Sequence, residues 1–165
     1  MKKNNYIFIS TISNKYNVAV LGAYSKVKYL IDTNTQEKIF EVYFKSIEET
    51  RNNRTIFCID SNNNFYYIDL KDRTILLQLQ NSEFCRPDTW FGNSVNFNIP
   101  YLWLYDSKEI KRAIYDLRTK ECVLQINMNT PYSYNSLYGD ATNNFGDEEG
   151  LKEFKMKMFL ERRLV

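Results

Sequence analysis

The sequence predicts a mainly β protein built from antiparallel meander repeats, with a C-terminal helix. Two observations lead to this fold class. A strand–turn–strand pattern occurs three times, and aromatic residues make up 16% of the 165 positions. Aromatic and β-branched side chains fit the pleated, half-buried surface of a sheet. A β-sandwich or a barrel would use the same pattern, and either stays open as an alternative.

The repeated pattern aligns on three aspartates, Asp32, Asp69 and Asp116. Each one follows a run of apolar residues and precedes a polar turn, after which a second apolar stretch begins. The aspartates are 37 and 47 residues apart, and the mean of these steps lies within the roughly 40–45-residue period of repeats that each form a four-stranded sheet. Asp side chains often bond to the backbone of a following turn. We therefore expect the three aspartates to hold turns.

Runs of apolar residues separated by polar turns predict the strands in order. A first hairpin precedes the repeats, at Tyr6–Ser10 and Asn17–Leu21. The predicted strands of the three repeats are Lys26–Asp32 and Lys38–Lys45; Thr55–Ile59, Phe65–Ile68 and Thr74–Leu79; and Tyr101–Tyr105, Ala113–Tyr115 and Glu121–Ile126. Two polar stretches are predicted as loops, namely Ser46–Arg54 and Asn81–Asn98. Asn is abundant and Gly is scarce, so Asn is expected at left-handed turn positions.

The predicted organisation is a single domain over residues 1–165, with β repeats at about 5–126, a loop at 127–146 and a helix at about 147–164. Asp147 is a suitable N-cap for that helix, with Glu148 and Glu149 in the first turn. The alternation of Phe154, Met156 and Met158 with lysines is the periodicity of a strand. Helix-forming residues dominate the segment, so the helix is preferred.

The third repeat, Ile114–Ile126, resembles the end of a WD-type propeller repeat. In that family a strand closes with a Trp-Asp pair before a turn, and Tyr115-Asp116 occupies that place here. Ile31-Asp32 and Ile68-Asp69 match more loosely. The resemblance covers roughly Tyr29–Ile126 and implies a propeller-like fold with three or four irregular blades. The chain departs from the family because it has no His for the Gly-His pair, and three units fall short of the usual four blades.

The composition offers little catalytic chemistry. Without His, the chain lacks the usual general base near neutral pH and the commonest metal ligand. It also lacks a glycine-rich phosphate loop and a Cys-x-x-Cys pair. Asp88, beside Trp90, is the most enzyme-like position, but an Asp after Pro is usually a turn residue. We therefore expect no enzyme activity, no cofactor and no metal.

Charge, cysteines and hydropathy limit the partners and the location. A net charge of +2 is too small to indicate nucleic acid. Three cysteines without paired spacing indicate free thiols and a reduced, cytoplasmic protein. No apolar stretch approaches the roughly 20 residues that span a bilayer.

The remaining candidate function is protein binding. Exposed-looking tyrosines lie close to carboxylates after the last repeat, and this combination suits a basic protein partner, in which charge speeds encounter and aromatic side chains hold the complex. The predicted partner-binding residues are Trp90, Tyr132, Tyr134, Tyr138, Asp140, Asp147, Glu148 and Glu149. In size and character the chain is similar to bacterial immunity proteins, which implies neutralisation of a basic toxin domain by occlusion. An RNA- or carbohydrate-binding module, or a subunit of a larger assembly, is the alternative.

Overall fold

The computed structural model describes residues 6–23, 27–87, 96–106 and 110–127, and the single positions 108, 149, 152 and 156. The described residues form antiparallel strands in two sheets, so the mainly β fold with meander repeats is confirmed. The chain divides into two compact units, Met1–Glu49 with Asn53–Asn81, and Thr50–Asn52 with Ser82–Val165. The single domain stays a prediction.

The first unit contains a seven-stranded sheet in which the strands follow one another in chain order. Its strands are β1 (Tyr6–Ser13), β2 (Val18–Ala23), β3 (Lys28–Asp32), β4 (Phe44–Glu49), β5 (Thr55–Asp60), β6 (Phe65–Asp69) and β7 (Thr74–Leu79). Between β3 and β4 the ladder consists of one residue pair, Lys28 with Phe44. This junction separates a first meander, β1–β3, from a second meander, β4–β7.

The two meanders of this unit pack face to face. Val18 and Leu30 of the first meander share one apolar cluster with Ile56 and Ile68 of the second. In a flat sheet, β2 and β6 would be about 19 Å apart, because neighbouring strands are separated by about 4.8 Å. The shared cluster, together with the contact between Arg73 in the turn after β6 and Asp32 at the end of β3, indicates that the sheet folds over at the β3–β4 junction. Strands β3, β5 and β6 are buried at consecutive positions, which explains why runs of apolar residues predicted them.

Two of the sequence predictions for the junction are wrong. Of the predicted strand Lys38–Lys45, only the two ends are paired: Lys38 forms a single bridge with Ile31, next to a 2.9 Å hydrogen bond from the Ile39 N–H to the Leu30 carbonyl, and Phe44 and Lys45 begin β4. The predicted loop Ser46–Arg54 is partly strand, since β4 runs over Phe44–Glu49. In β4 only Phe44 is fully buried and the other side chains are half-buried or exposed. The polar composition of this strand is therefore the reason why the sequence predicted a loop here.

The second unit contains a four-stranded sheet of β8 (Phe84–Pro87), β9 (Tyr101–Asp106), β10 (Lys111–Asp116) and β11 (Glu121–Asn127), in the order β11-β10-β9-β8. Leu102, Trp103 and Leu104 are at most 1% exposed, so both faces of β9 are covered. The predicted strands of the third repeat are confirmed. Strand β8 falls within the predicted loop Asn81–Asn98, because a four-residue strand that ends in Pro87 is too short to show an alternating pattern.

The predicted C-terminal helix lies almost wholly outside the described residues. Glu149, Lys152 and Met156 have helical backbone geometry, but these separate positions do not define an element, and the helix stays a prediction. Most of the predicted loop 127–146 also lies outside. In the described parts of the chain, no helix has the length and apolar character needed to span a bilayer.

Cys58, Cys85 and Cys122 form no disulfide and differ in exposure, which gives a testable order of reactivity. Cys58 is buried, Cys85 is half-buried and Cys122 is exposed. Burial raises the pKa of the Cys58 thiol well above its usual value and also raises that of Cys122. Because the thiolate is the reactive form, we expect Cys122 to react first in the native protein and Cys58 only after unfolding. Thiol titration with mass spectrometry should find fast modification of Cys122 and slow modification of Cys58 in the native protein, and three reactive thiols in denaturant.

The matched control for this titration is Cys122→Ser, which should remove the fast phase and leave the slow site unchanged. A disulfide under non-reducing conditions would contradict the prediction of three free thiols.

Candidate functional site

The three repeat aspartates occupy the same structural position. Each is the last residue of the third strand of its meander: Asp32 in β3, Asp69 in β6 and Asp116 in β10. In each turn the Oδ1 atom accepts the backbone N–H of the residue two positions later, at 2.7, 3.0 and 2.9 Å respectively. The expectation that these aspartates hold turns is confirmed, and the repeats are structural units.

The backbone after each aspartate is also repeated. The residue four positions later has a positive φ in all three turns, with values of 61° at Gln36, 55° at Arg73 and 62° at Lys120. Non-glycine residues seldom adopt this conformation. The other described residues with positive φ that are not Gly share one identity, as expected from the composition: Asn17, Asn53, Asn63 and Asn81. A β-bulge then follows in both β7 and β11, at equivalent distances from Asp69 and Asp116.

Each repeat aspartate is paired with an arginine. Arg54 donates two hydrogen bonds of 2.8 Å to the two oxygens of Asp69, and Arg118 donates to both oxygens of Asp116 at 3.0 Å. Hydrogen bonds from Arg118 hold the pKa of Asp116 below its usual value. Burial acts to raise the pKa of Asp69, but the hydrogen bonds from Arg54 and from the Lys71 N–H lower it on balance. These carboxylates are therefore ionised structural groups.

Arg73 connects the two meanders of the first unit. It lies in the turn after Asp69 and reaches across to the carboxylate of Asp32 and, at 3.4 Å, to the carbonyl oxygen of Tyr16. The pKa of Asp32 is lowered by the hydrogen bond from the Thr35 N–H and then by that from Arg73. The turns thus stabilise the face-to-face packing as well as their own hairpins.

Two further aspartates hold turns at the ends of second strands. Asp60 Oδ1 accepts the N–H groups of Asn62 and Asn64 at 2.9 and 3.0 Å, and its Oδ2 accepts the Tyr66 hydroxyl at 2.9 Å. Asp106 Oδ1 accepts the Ile110 N–H at 2.9 Å. In the described ranges no group of three or more His, Cys, Asp or Glu side chains could hold a metal ion. What these carboxylates do is hold backbone turns.

The first meander has a second face, here called the outer face, which is the face opposite the second meander. It carries a separate apolar cluster of Ala19, Tyr29 and Ile31, with Leu21 packed against it. Lys38 lies at its margin, paired with Ile31. The hairpin closed by Asp32 brings Lys38 to this position.

Tyr43 is an exposed aromatic side chain on the outer face. It is 44% exposed and meets the buried ring of Tyr29 edge-on, with 4.3 Å between ring centroids and 86° between planes. The Lys38 Nζ lies 4.4 Å from the centroid of Tyr29 and 5.2 Å from that of Tyr43. A hydrogen bond from Tyr29 and the charge of Lys38 lower the pKa of Tyr43. Both rings and the ammonium group therefore support one another in a fixed arrangement.

Sequence reasoning missed this group because Tyr43 lay inside the predicted strand Lys38–Lys45. A signal was present in the turn. Once Asp32 is taken to close a tight hairpin, the pairing of Lys38 with Ile31 follows. Tyr29 lies two residues before Ile31, so Lys38 and Tyr29 are diagonal neighbours on the same face.

A second polar–aromatic group lies on the four-stranded sheet. Arg86, Tyr105 and Arg112 are cross-strand neighbours on β8, β9 and β10. The guanidinium carbon of each arginine lies 5.2 Å from the Tyr105 ring centroid, and Arg112 is only 1% exposed.

The partner-binding residues predicted from the sequence fall almost entirely outside the described residues, so the structure does not bring them together. Glu149 is described, and it is exposed. The others that lie outside are Trp90, Tyr132, Tyr134, Tyr138, Asp140, Asp147 and Glu148.

Comparison with known proteins gives likeness of structure without likeness of sequence. No family model matches the chain, and the search of curated proteins found no match. The β-propeller domain of Cps50 (Swd1) from Myceliophteria thermophila is similar with a TM-score of 0.43 and 12% identity, over 73% of this chain and 42% of that one. The computationally designed protein Ika8 is similar with a TM-score of 0.39 and 11% identity, over 74% and 35%. The chain spans less than half the length of either structure, and TM-scores below 0.5 do not establish a closed ring of blades.

Proposed function

We propose that this protein is a non-catalytic protein-binding module and that Tyr43 is one of its contact residues. The single observation that carries the proposal is the exposure of Tyr43 on a fixed aromatic support. Tyr is enriched among the residues that dominate binding energy at interfaces. A ring already held by its neighbours loses little conformational freedom on binding.

The pKa shifts and hydrogen bonds of the described aspartates support the non-catalytic part of the proposal. A general acid or base needs a carboxyl group with a pKa near the working pH and access to substrate. The pKa of Asp32, Asp60, Asp69 and Asp116 is instead lowered, and each side chain accepts backbone hydrogen bonds.

In its finer form the proposal is that the module neutralises a cognate bacterial toxin by occluding it. This form rests on the sequence alone: the small catalytically bare chain, and the carboxylates Asp140, Asp147, Glu148 and Glu149 near the three tyrosines of the 132–138 stretch. Trp90 is proposed as a weaker contact. A basic partner would be attracted by these carboxylates.

Binding kinetics against the co-purified partner test the proposal. Tyr43→Ala should speed dissociation by about tenfold or more if Tyr43 is a hot spot, whereas Tyr43→Phe, which keeps the ring, should change it little. Reversal of Asp147, Glu148 and Glu149 to Lys should mainly slow association, because charge outside the contact core acts on encounter.

Matched controls are Thr74→Ala and Gln78→Ala, which remove exposed side chains from β7. If Tyr43→Ala binds the partner at wild-type rates, the outer face is not part of the interface. Wild-type rates for the charge reversal as well would place the whole interface elsewhere.

A further inference from the structure

We propose that the outer face binds an acidic, aromatic-bearing segment of a partner protein, with a partner carboxylate on Lys38 and an apolar group against Tyr43 and Leu21. This inference rests on the proposed function and names the chemistry of the partner. Its basis is the combination of a held cation with apolar side chains on one face.

Lys38 is held against two aromatic rings. Its ammonium group lies over the rings of Tyr29 and Tyr43 at 4.4 and 5.2 Å. In the part of the chain that the structure describes, the ion pairs involve other lysines and arginines, and none includes Lys38. Lys38 is half-buried, so its charge is partly shielded from water. A cation in this setting attracts an anion more strongly than a fully solvated one does.

A cationic occupant is excluded. Exposed tyrosine rings often bind lysine or arginine through their faces. Here the chain's own ammonium group already occupies that position on both rings. A partner cation would have to displace Lys38 or approach a like charge, and both cost free energy.

The surface also has an apolar part. Leu21 and Val27 are half-buried and pack beside Tyr29 at the edge of the cluster. Together with the 44% exposed ring of Tyr43 they can receive an aromatic or aliphatic side chain next to the carboxylate. The segment Phe40–Tyr43 has no strand pairing of its own, so the ring is not screened by a neighbouring strand.

One carboxylate acts against the inference and is part of its test. Glu41 is exposed and lies two residues before Tyr43, and its charge acts to raise the pKa of Tyr43. It would repel a partner carboxylate. Neutralising Glu41 should therefore strengthen binding of an acidic segment.

The experiment is an NMR titration of the full ¹⁵N-labelled chain with two blocked tripeptides, Glu-Phe-Glu and Lys-Phe-Lys. The acidic peptide should shift amide signals around Tyr29, Lys38 and Tyr43, and the basic peptide should bind at least about threefold more weakly. Lys38→Gln should lower the affinity for the acidic peptide about three- to fivefold. Lys38→Arg should retain this affinity, and Glu41→Gln should raise it.

Equal binding of the two peptides, an unchanged affinity for Lys38→Gln, or shifts confined to another surface would overturn the inference. The outcome is separable from that of the proposed function. Suppose that Tyr43→Ala binds the co-purified partner more weakly while Lys38→Gln binds it as the wild type does. The outer face is then an interface, but the partner segment that contacts it is not acidic.

Discussion

Asp69→Ala is expected to lower the free energy of unfolding by about 3 kcal/mol, more than any other substitution of a turn aspartate. Asp69 is 1% exposed and accepts two 2.8 Å hydrogen bonds from Arg54 in addition to the 3.0 Å bond from the Lys71 N–H. The substitution removes two charge-assisted hydrogen bonds and one turn bond from a buried carboxylate at once, and hydrogen bonds to charged groups are the stronger ones. Urea denaturation at pH 7 measures the loss.

Two variants serve as controls for this prediction. Asp72 also lies near Arg54, at 3.3 Å, but its side chain is 61% exposed, so Asp72→Ala should change stability by at most about 0.5 kcal/mol. Asp116 has the same place in the third repeat, but its partner Arg118 is 54% exposed, so Asp116→Ala should cost about 0.5–2 kcal/mol. Equal losses at Asp69 and Asp72 would refute the argument from burial.

Acid should destabilise the fold steeply, because several turns depend on ionised carboxylates. The pKa values of Asp32, Asp60, Asp69 and Asp116 in the folded protein lie below the usual 3.8. A lowered folded-state pKa means that the stabilisation is complete above the unfolded-state pKa and is lost as the pH falls through the folded-state value. We expect nearly constant stability from pH 7 to 5 and a marked decline below about pH 4.

Thermal unfolding followed by circular dichroism across this pH range measures the decline. Asp69→Asn should start from a lower stability and decline less, since one of the titrating groups is gone. A stability that rises on acidification below pH 4 would contradict the assignment of these carboxylates as ionised structural groups.

The sequence was sufficient to predict the parts of the fold that are coded locally. Strands β5 and β6 are runs of buried apolar residues that end in turns rich in Asn and Asp, and β7 begins after the second of these turns, so both their type and their boundaries could be predicted. The repeat aspartates could be aligned because each bonds to a backbone N–H two residues away, a contact set by local sequence. Asn at positions with a left-handed backbone could also be predicted, because this preference is a property of the residue itself.

The parts that were missed depend on contacts distant in sequence. Strand β4 is polar because it is buried at little more than Phe44, and only its pairing with β5 makes it a strand. The Asp69–Arg54 and Asp32–Arg73 pairs join residues 15 and 41 positions apart. The group at Tyr43 needs three separate segments to meet, so composition could not distinguish it from a strand of the first repeat.

The single residue pair between β3 and β4 has a consequence for how the chain can be divided. Across this junction the first and second meanders are held by side-chain packing around Leu30 and Ile56 and by the Arg73 contacts, with little help from the backbone ladder. A break in the peptide chain within residues 40–43 would cut no paired strand. The two resulting fragments would keep complementary apolar faces and could reassociate, so this junction is the natural place for fragment complementation or for insertion of an additional repeat.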